Sequence, residues 1–138
     1  MITMYNEGID IPQQFYLDKL EAVAAHLELE GQITIKLGGV EESQTLNNQY
    51  RQIDKPTDVL SFPFNEKLPD GYYIGDIHIC YAIALEQAKE NSISEQQEIF
   101  TLMVHGLLHL AGHDHESEDD NGEMMALQDT LLKDHYRE

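Results

Sequence analysis

Eleven consecutive residues, His105-Gly106-Leu107-Leu108-His109-Leu110-Ala111-Gly112-His113-Asp114-His115, hold four of the chain's seven histidines. Imidazole nitrogens serve as metal ligands, as acid–base groups and as hydrogen-bond partners, and spacing discriminates among these uses. His105 and His109 are four residues apart, so on a helix they share one face, a turn apart. Gly112 is a natural stop for that helix, because glycine enters the left-handed conformation without steric cost. The chain can then turn back and bring His115 toward the same point. The pattern H-x-x-x-H-x-x-G-x-x-H therefore predicts three imidazoles, His105, His109 and His115, around one transition-metal ion, with zinc the first expectation. Three protein ligands leave one tetrahedral position open, the arrangement of a catalytic rather than a structural zinc site. The competing reading is a closed site with His113 as fourth ligand. Its separation of only two residues from His115 makes joint ligation awkward.

The same spacing occurs in the metzincin metallopeptidases, with one difference. In H-E-x-x-H the glutamate after the first histidine is the general base for water attack. Here that position is Gly106, which has no side chain. A peptidase without its base is a poor expectation.

Several elements must hold these rings. Ser94 with Gln97 fits a capping box at the start of a long helix. Ile99, Phe100, Met103, Val104, Leu107, Leu108 and Leu110 make that helix apolar over most of its surface, which predicts a central buried helix. Upstream, residues 2–6 read as a strand, and Ile11-Pro12 opens a helix running to about Glu30, where Gly31 ends it. Residues 32–37 alternate as a half-buried strand. Gly38-Gly39 is a turn, and 41–51 a helix with Leu46 and Tyr50 on one side. Val59 to Phe62 is a strand, and Pro63 marks an edge or a strand end. Residues 65–73 read as a polar loop turning at Pro69-Asp70-Gly71, and Ile74 to Cys80 as a further strand. Helices follow at 81–91 and, after a cap formed by Ser117 with Asp120, through Met124, Met125, Leu127, Leu131 and Leu132. The sum is a small α+β domain over 1–138: about four strands in one mixed sheet, packed with helices, the histidine helix in the core. Strand order is not readable.

Composition narrows the function. A length of 138 residues suits one domain. The single cysteine, Cys80, cannot form an internal disulfide, and the N-terminal residues show no signal peptide, so a cytoplasmic location is expected. Twenty-six acidic residues against 8 basic give a net charge of −18, which taken alone argues against nucleic acid. It also makes the two arginines, Arg51 and Arg137, conspicuous.

Two stretches carry a family resemblance. Leu46-Asn47-Asn48-Gln49-Tyr50-Arg51, followed by Asp54-Lys55-Pro56-Thr57-Asp58-Val59-Leu60-Ser61-Phe62-Pro63, resembles the first signature of the bacterial YbeY proteins, metal-dependent endoribonucleases of ribosomal RNA maturation. The histidine stretch resembles the second, H-G-x-L-H-L-x-G-x-D-H, and Gly75-Asp76-Ile77 fits between them. The resemblance covers nearly the whole chain. It implies single-strand-specific cleavage of RNA, processing of the 3′ end of small-subunit ribosomal RNA, and ribosome quality control. It implies one zinc ion on His105, His109 and His115, and Arg51 as a functional cation beside the metal cleft. The implied partners are the ribosome small subunit, a small-subunit ribosomal protein and an assembly GTPase. One departure is His113, where the family often has tyrosine.

Zinc chemistry suits phosphodiester cleavage, and the planar fork of Arg51 suits a phosphate oxygen. The ordinary alternative for Arg51 is a surface ion pair, and the resemblance decides for the functional role. No general base is assigned among His113, Asp114, Glu116 and Asp58. Asp76 is either a docking contact or a turn acid. Phe62, Phe64, Tyr72 and Tyr73 could stack bases, although core or rim packing is the commoner use of such residues. The acidic surface predicts weak intrinsic affinity for RNA, with partners supplying delivery. Two other functions stay open: a different metal-dependent hydrolase, and a non-catalytic ribosome-assembly factor with a stabilising metal.

Overall fold

The computed structural model describes residues 1–112 and 121–136 of the 138-residue chain. The elements run β1 (Ile2–Tyr5), α1 (Gln13–His26), β2 (Gln32–Gly38), α2 (Val40–Arg51), β3 (Val59–Leu68), β4 (Gly71–Cys80), α3 (Tyr81–Glu90), α4 (Glu95–Leu110) and α5 (Asn121–His135). The four strands form one mixed sheet in the order β1-β2-β4-β3. The pairs β1–β2 and β2–β4 are parallel, and β3–β4 is an antiparallel hairpin. The expected α+β class and strand number hold.

Strand alternation gives the sheet two unlike faces. Ile33, Ile35 and Leu37 of β2 and Ile77 and Ile79 of β4 are buried on one face. Their neighbours Thr34, Lys36, Asp76 and His78 belong to the other. Helix α4 packs on the apolar face over β3 and β4, with α1 and α5 against it. Ten of its sixteen residues are buried, so it is the central helix that its composition predicts. Ser94 caps it by accepting a hydrogen bond from the Gln97 backbone N–H at 3.1 Å. Helix α2 lies over part of the opposite face, where Glu42 reaches His78 and Tyr50 reaches Phe62.

Two boundaries differ from expectation. Residues 65–73 are not a loop. Strand β3 continues to Leu68, β4 begins at Gly71, and only Pro69-Asp70 form the turn. This end of the hairpin is mostly exposed on both faces, so nothing demands apolar alternation, and the cross-strand ladder holds a polar sequence. Helix α1 stops at His26 rather than near Glu30: Glu28 takes a left-handed conformation and Leu29 N–H bonds back to the Ala24 carbonyl at 2.9 Å. Pro63 sits on an edge strand beside a register shift, where its missing N–H is tolerated.

One buried acid strains this packing. Glu98, in the first turns of α4, is 6% exposed. Burial raises its carboxyl above the ordinary range, the Asp58 carboxylate adds to this, and a hydrogen bond with Asn91 opposes it. The charged form is thus disfavoured in the folded chain relative to the unfolded one. The penalty on folding grows as pH rises from the ordinary carboxylate range through the raised folded value, and persists above it. Glu98→Gln is expected to increase stability at pH 7 and to change it little below about pH 4, where the carboxyl is protonated in both states. Urea unfolding of both proteins at the two pH values measures this.

Candidate metal centre and its surroundings

Along α4, Gln97, Thr101, His105 and His109 recur every fourth residue, and all four are only partly buried. They form the one stripe of this helix that the core does not fully cover. His105 Nε2 and His109 Nε2 lie 3.1 Å apart, with ring centroids at 4.7 Å. The predicted pair therefore converges. His105 Nδ1 lies 2.9 Å from Gln128 Oε1 of α5. A carbonyl oxygen can only accept, so the ring proton belongs on Nδ1 and Nε2 presents its lone pair. Gln128 is 7% exposed, between the buried Met124 and Leu131. Its role was not read from the sequence. The available signal is a glutamine on a helical stripe otherwise made of methionine and leucine.

Gly106 faces the sheet. A Cβ built there would meet Ile77 Cδ1 and Cγ2, each at 2.8 Å, and Ile77 is 1% exposed. The Gly106 carbonyl accepts a hydrogen bond from Ser61 Oγ of β3 at 3.4 Å. The residue after the first histidine thus points into the core, so a peptidase-type glutamate has no room at this position.

His115, the third expected ligand, lies outside the described residues, as do His113, Asp114, Glu116 and the expected Ser117–Asp120 cap. Among the described residues no group of three or more histidine, cysteine, aspartate or glutamate side chains is placed to hold a metal ion.

Arg51 is the last residue of α2 and is exposed. Beside it Tyr50 packs on Phe62, with centroids 4.9 Å apart. The edge strand β3 stands between α2 on one side of the sheet and α4 on the other. The segment after Arg51 is held by polar contacts rather than apolar ones. Gln52 takes the left-handed conformation that ends the helix. Buried Asn47 donates to the Lys55 carbonyl at 2.9 Å. Fully buried Ser43 both donates to the Thr57 carbonyl and accepts from the Thr57 N–H, each at 2.9 Å. The Asp58 carboxylate accepts from the Val59 N–H at 2.7 Å and from Gln87 of α3 at 3.3 Å. Asp58, one of the candidate bases, is thus occupied in fixing this segment.

On the α2 side of the sheet a second polar group forms. Lys36 bonds Glu7 at 2.9 Å and Glu42 at 2.7 Å, and Glu42 also meets His78 Nε2 at 2.7 Å. The Lys36 hydrogen bond, with a lesser share from His78, holds the Glu42 carboxyl below the usual range. The Asp76 carboxylate accepts a hydrogen bond from the Tyr73 hydroxyl. Asp76 is therefore a strand residue on this face, not a turn acid.

Ser43→Ala would leave both polar groups of the Thr57 backbone without their partner. An unfolding free energy lower by about 1–3 kcal/mol is expected from chemical denaturation.

The chain is 39% identical over 127 residues to the endoribonuclease YbeY of Persephonella marina, covering 89% of this chain and 83% of that one. It is 40% identical over 124 residues to the protein of the same name from Colwellia psychrerythraea, covering 87% and 79%. A solution structure of a Thermotoga maritima protein superposes with a TM-score of 0.68 at 31% identity, over 96% of this chain and 87% of that one. Residues 3–136 match the family model described as endoribonuclease YbeY, and the chain belongs to that family.

Proposed function

We propose that this chain is a zinc-dependent endoribonuclease that cuts single-stranded RNA, with His105, His109 and His115 holding one ion and Arg51 binding a phosphate oxygen. The observation that carries this reading is the approach of two imidazole Nε2 atoms to 3.1 Å on the open stripe of α4. Two nitrogens each about 2.0–2.1 Å from one ion, at the tetrahedral angle, stand about 3.3 Å apart. The pair therefore fits a zinc ion with little adjustment. Gln128 supports the same reading, because metal-bound histidines hold their other ring nitrogen in a hydrogen bond that fixes tautomer and orientation. When present, the ion supplies Lewis acidity toward water and a phosphoryl oxygen.

The chain's own residues supply position and charge. Arg51 offers a planar, permanently charged fork to a phosphate oxygen. Ser43, Asn47 and Asp58 hold the segment behind it in place. The rigid α4 keeps both imidazoles aimed at one point. The orientation of Gly106 toward Ile77 supports an RNA rather than a peptide substrate, since a peptidase base has no place there.

The RNA is taken to be ribosomal, with the 3′ end of the small-subunit RNA as target and ribosome quality control as context. The small subunit, one of its proteins and an assembly GTPase are the proposed partners, and the cytoplasm the place. Family membership supports this, and so does the charge. A protein of net charge −18 repels naked RNA and suits delivery by a partner. No helix among the described residues is long and apolar enough to cross a membrane.

Cleavage of single-stranded RNA and of a peptide, with metal content assayed on each preparation, tests the reading. Wild type is expected to cut RNA only, and to stop in chelator. His109→Ala should lose both metal and activity. Arg51→Ala should keep its metal and lose about 10- to 100-fold in kcat/KM, the range of one charged hydrogen bond. RNA cleavage that survives loss of the metal would overturn the proposal.

Gln128→Ala is expected to weaken zinc binding by about 10- to 100-fold while leaving the fold intact. Competition for zinc against a chromophoric chelator measures it, and an unchanged affinity would remove Gln128 from the site.

A further inference from the structure

We propose that the cavity between α2 and the polar face of the sheet is a nucleobase pocket that takes one unpaired base of the RNA strand and prefers guanine. The identity of the ligand as RNA rests on the function proposed above, while the pocket stands on its own geometry.

The cavity has a volume of about 260 Å³ and is lined by Tyr5, Lys36, Tyr50, Phe62, Asp76 and His78 among others. That is below the roughly 300–1,000 Å³ of sites for drug-sized ligands, and it suits a planar ring better than a whole nucleotide. Its walls are aromatic. Tyr50 packs on Phe62, and Phe64, which also lines the cavity, packs on Tyr73. Tyr5, Tyr50 and Phe64 are 56%, 62% and 53% exposed. Exposed rings around a concavity are the usual means of stacking an unpaired base. Tyr72, another base-stacking candidate in the sequence, does not line it.

Charge decides which part of a nucleotide enters. Among the described residues Lys36 is the one lysine or arginine in the wall, and it is already bonded to Glu7 and Glu42. Glu42 and Asp76 add two carboxylates. A phosphate is repelled here, so the base goes in and the backbone stays out.

The polar groups choose among bases. Among the described residues the Asp76 side chain accepts one hydrogen bond, from Tyr73, which leaves most of the acceptor capacity of a carboxylate unused there. His78 is 4% exposed and two residues along the same face. Its Nε2 lies 2.7 Å from the Glu42 carboxylate, which can only accept, so that nitrogen carries a proton. Nδ1 is buried without a hydrogen-bond partner among the described residues, so His78 closes the floor of the cavity and offers no group to a ligand there. The unused carboxylate oxygens of Asp76 call for a ligand that brings donors. Guanine presents two side by side, N1–H and the N2 amino group, matched to a carboxylate. Adenine and cytosine offer one amino group each, and uracil a single ring N–H.

The test is titration of the full chain with GMP, AMP, CMP and UMP, followed by the backbone amide signals in NMR spectra. GMP is expected to shift Thr34, Asp76 and Ile77 and to bind about tenfold tighter than UMP. Asp76→Asn should bring GMP down to the level of the other nucleotides. Tyr50→Ala should weaken all four about equally, because it removes a stacking wall and no reading group. Unchanged signals elsewhere in each variant show that the fold is kept. Nucleotides that leave these amides unmoved, or GMP and UMP binding alike, would overturn the proposal. So would methylguanidinium shifting them where nucleotides do not, since the cavity would then be a seat for an arginine side chain. RNA cleavage is assayed separately. Guanine-selective shifts without cleavage would overturn the nuclease and keep the pocket, and cleavage without such shifts would overturn the pocket alone.

Discussion

The contact between Gly106 and Ile77 sets how closely α4 lies on the sheet, and with it which face of the helix the histidine pair presents. With no side chain at 106, the helix backbone comes down onto the buried isoleucine of the central strand β4. This fixes which way the helix is rolled. The neighbouring stripe, Thr101, His105 and His109, is left partly open. Around it Phe100, Met103, Val104, Leu107 and Leu108 are essentially inaccessible to solvent. Five such side chains contribute on the order of 10 kcal/mol of gross burial energy. That is comparable to the whole net stability of a small domain. The imidazoles are therefore carried on a helix whose core side is fully packed.

The Arg51 region is made rigid by a different kind of force. The segment after α2 contains few apolar residues and runs along the rim of the fold. Buried hydrogen bonds do the work that packing does in α4. Ser43 closes a reciprocal pair with Thr57, Asn47 holds Lys55, and Asp58 ties the start of β3 to α3. Buried polar groups of this kind are costly when broken, so they specify one conformation. Ser43, Asn47 and Asp58 thus hold the segment that follows Arg51 in one conformation.

Electrostatics separates the two faces of the sheet. One face is aliphatic and covered by helices. The other gathers Lys36, Glu42, His78 and Asp76 among aromatic rings. His78 and Glu42 converge over Gly38, where a Cβ would collide with both. The small residue at the end of β2 is explained by this pair, as Gly106 is by Ile77. Both glycines serve close approach rather than a turn.

Local signals made much of this readable in advance. The spacing of His105 and His109, the Ser94 cap and the apolar surround of α4 depend only on helical geometry, and the structure reproduces them. The two-faced β2 and the edge position of Pro63 also follow from nearest-neighbour rules. Residues 65–73 carry the signals of a loop although they form most of a hairpin, because an exposed strand takes its stability from its partner and carries no pattern of its own. The end of α1 was placed too late, because apolar Leu27 and Leu29 continue to pack after the helix has unwound at Glu28.

By itself, then, the sequence determined the helix that carries His105 and His109 and the fact that they share a face, since periodicity and motif spacing are properties of a single stretch of chain. Only the tertiary structure decided that Gln128 orients His105, that Gly106 is pressed against Ile77, and that Tyr5, Tyr50, Asp76 and His78 border one cavity. Each of these joins residues far apart in the chain. Their meeting depends on strand order and helix placement, which follow from how the apolar faces close over one another rather than from any local run of residues.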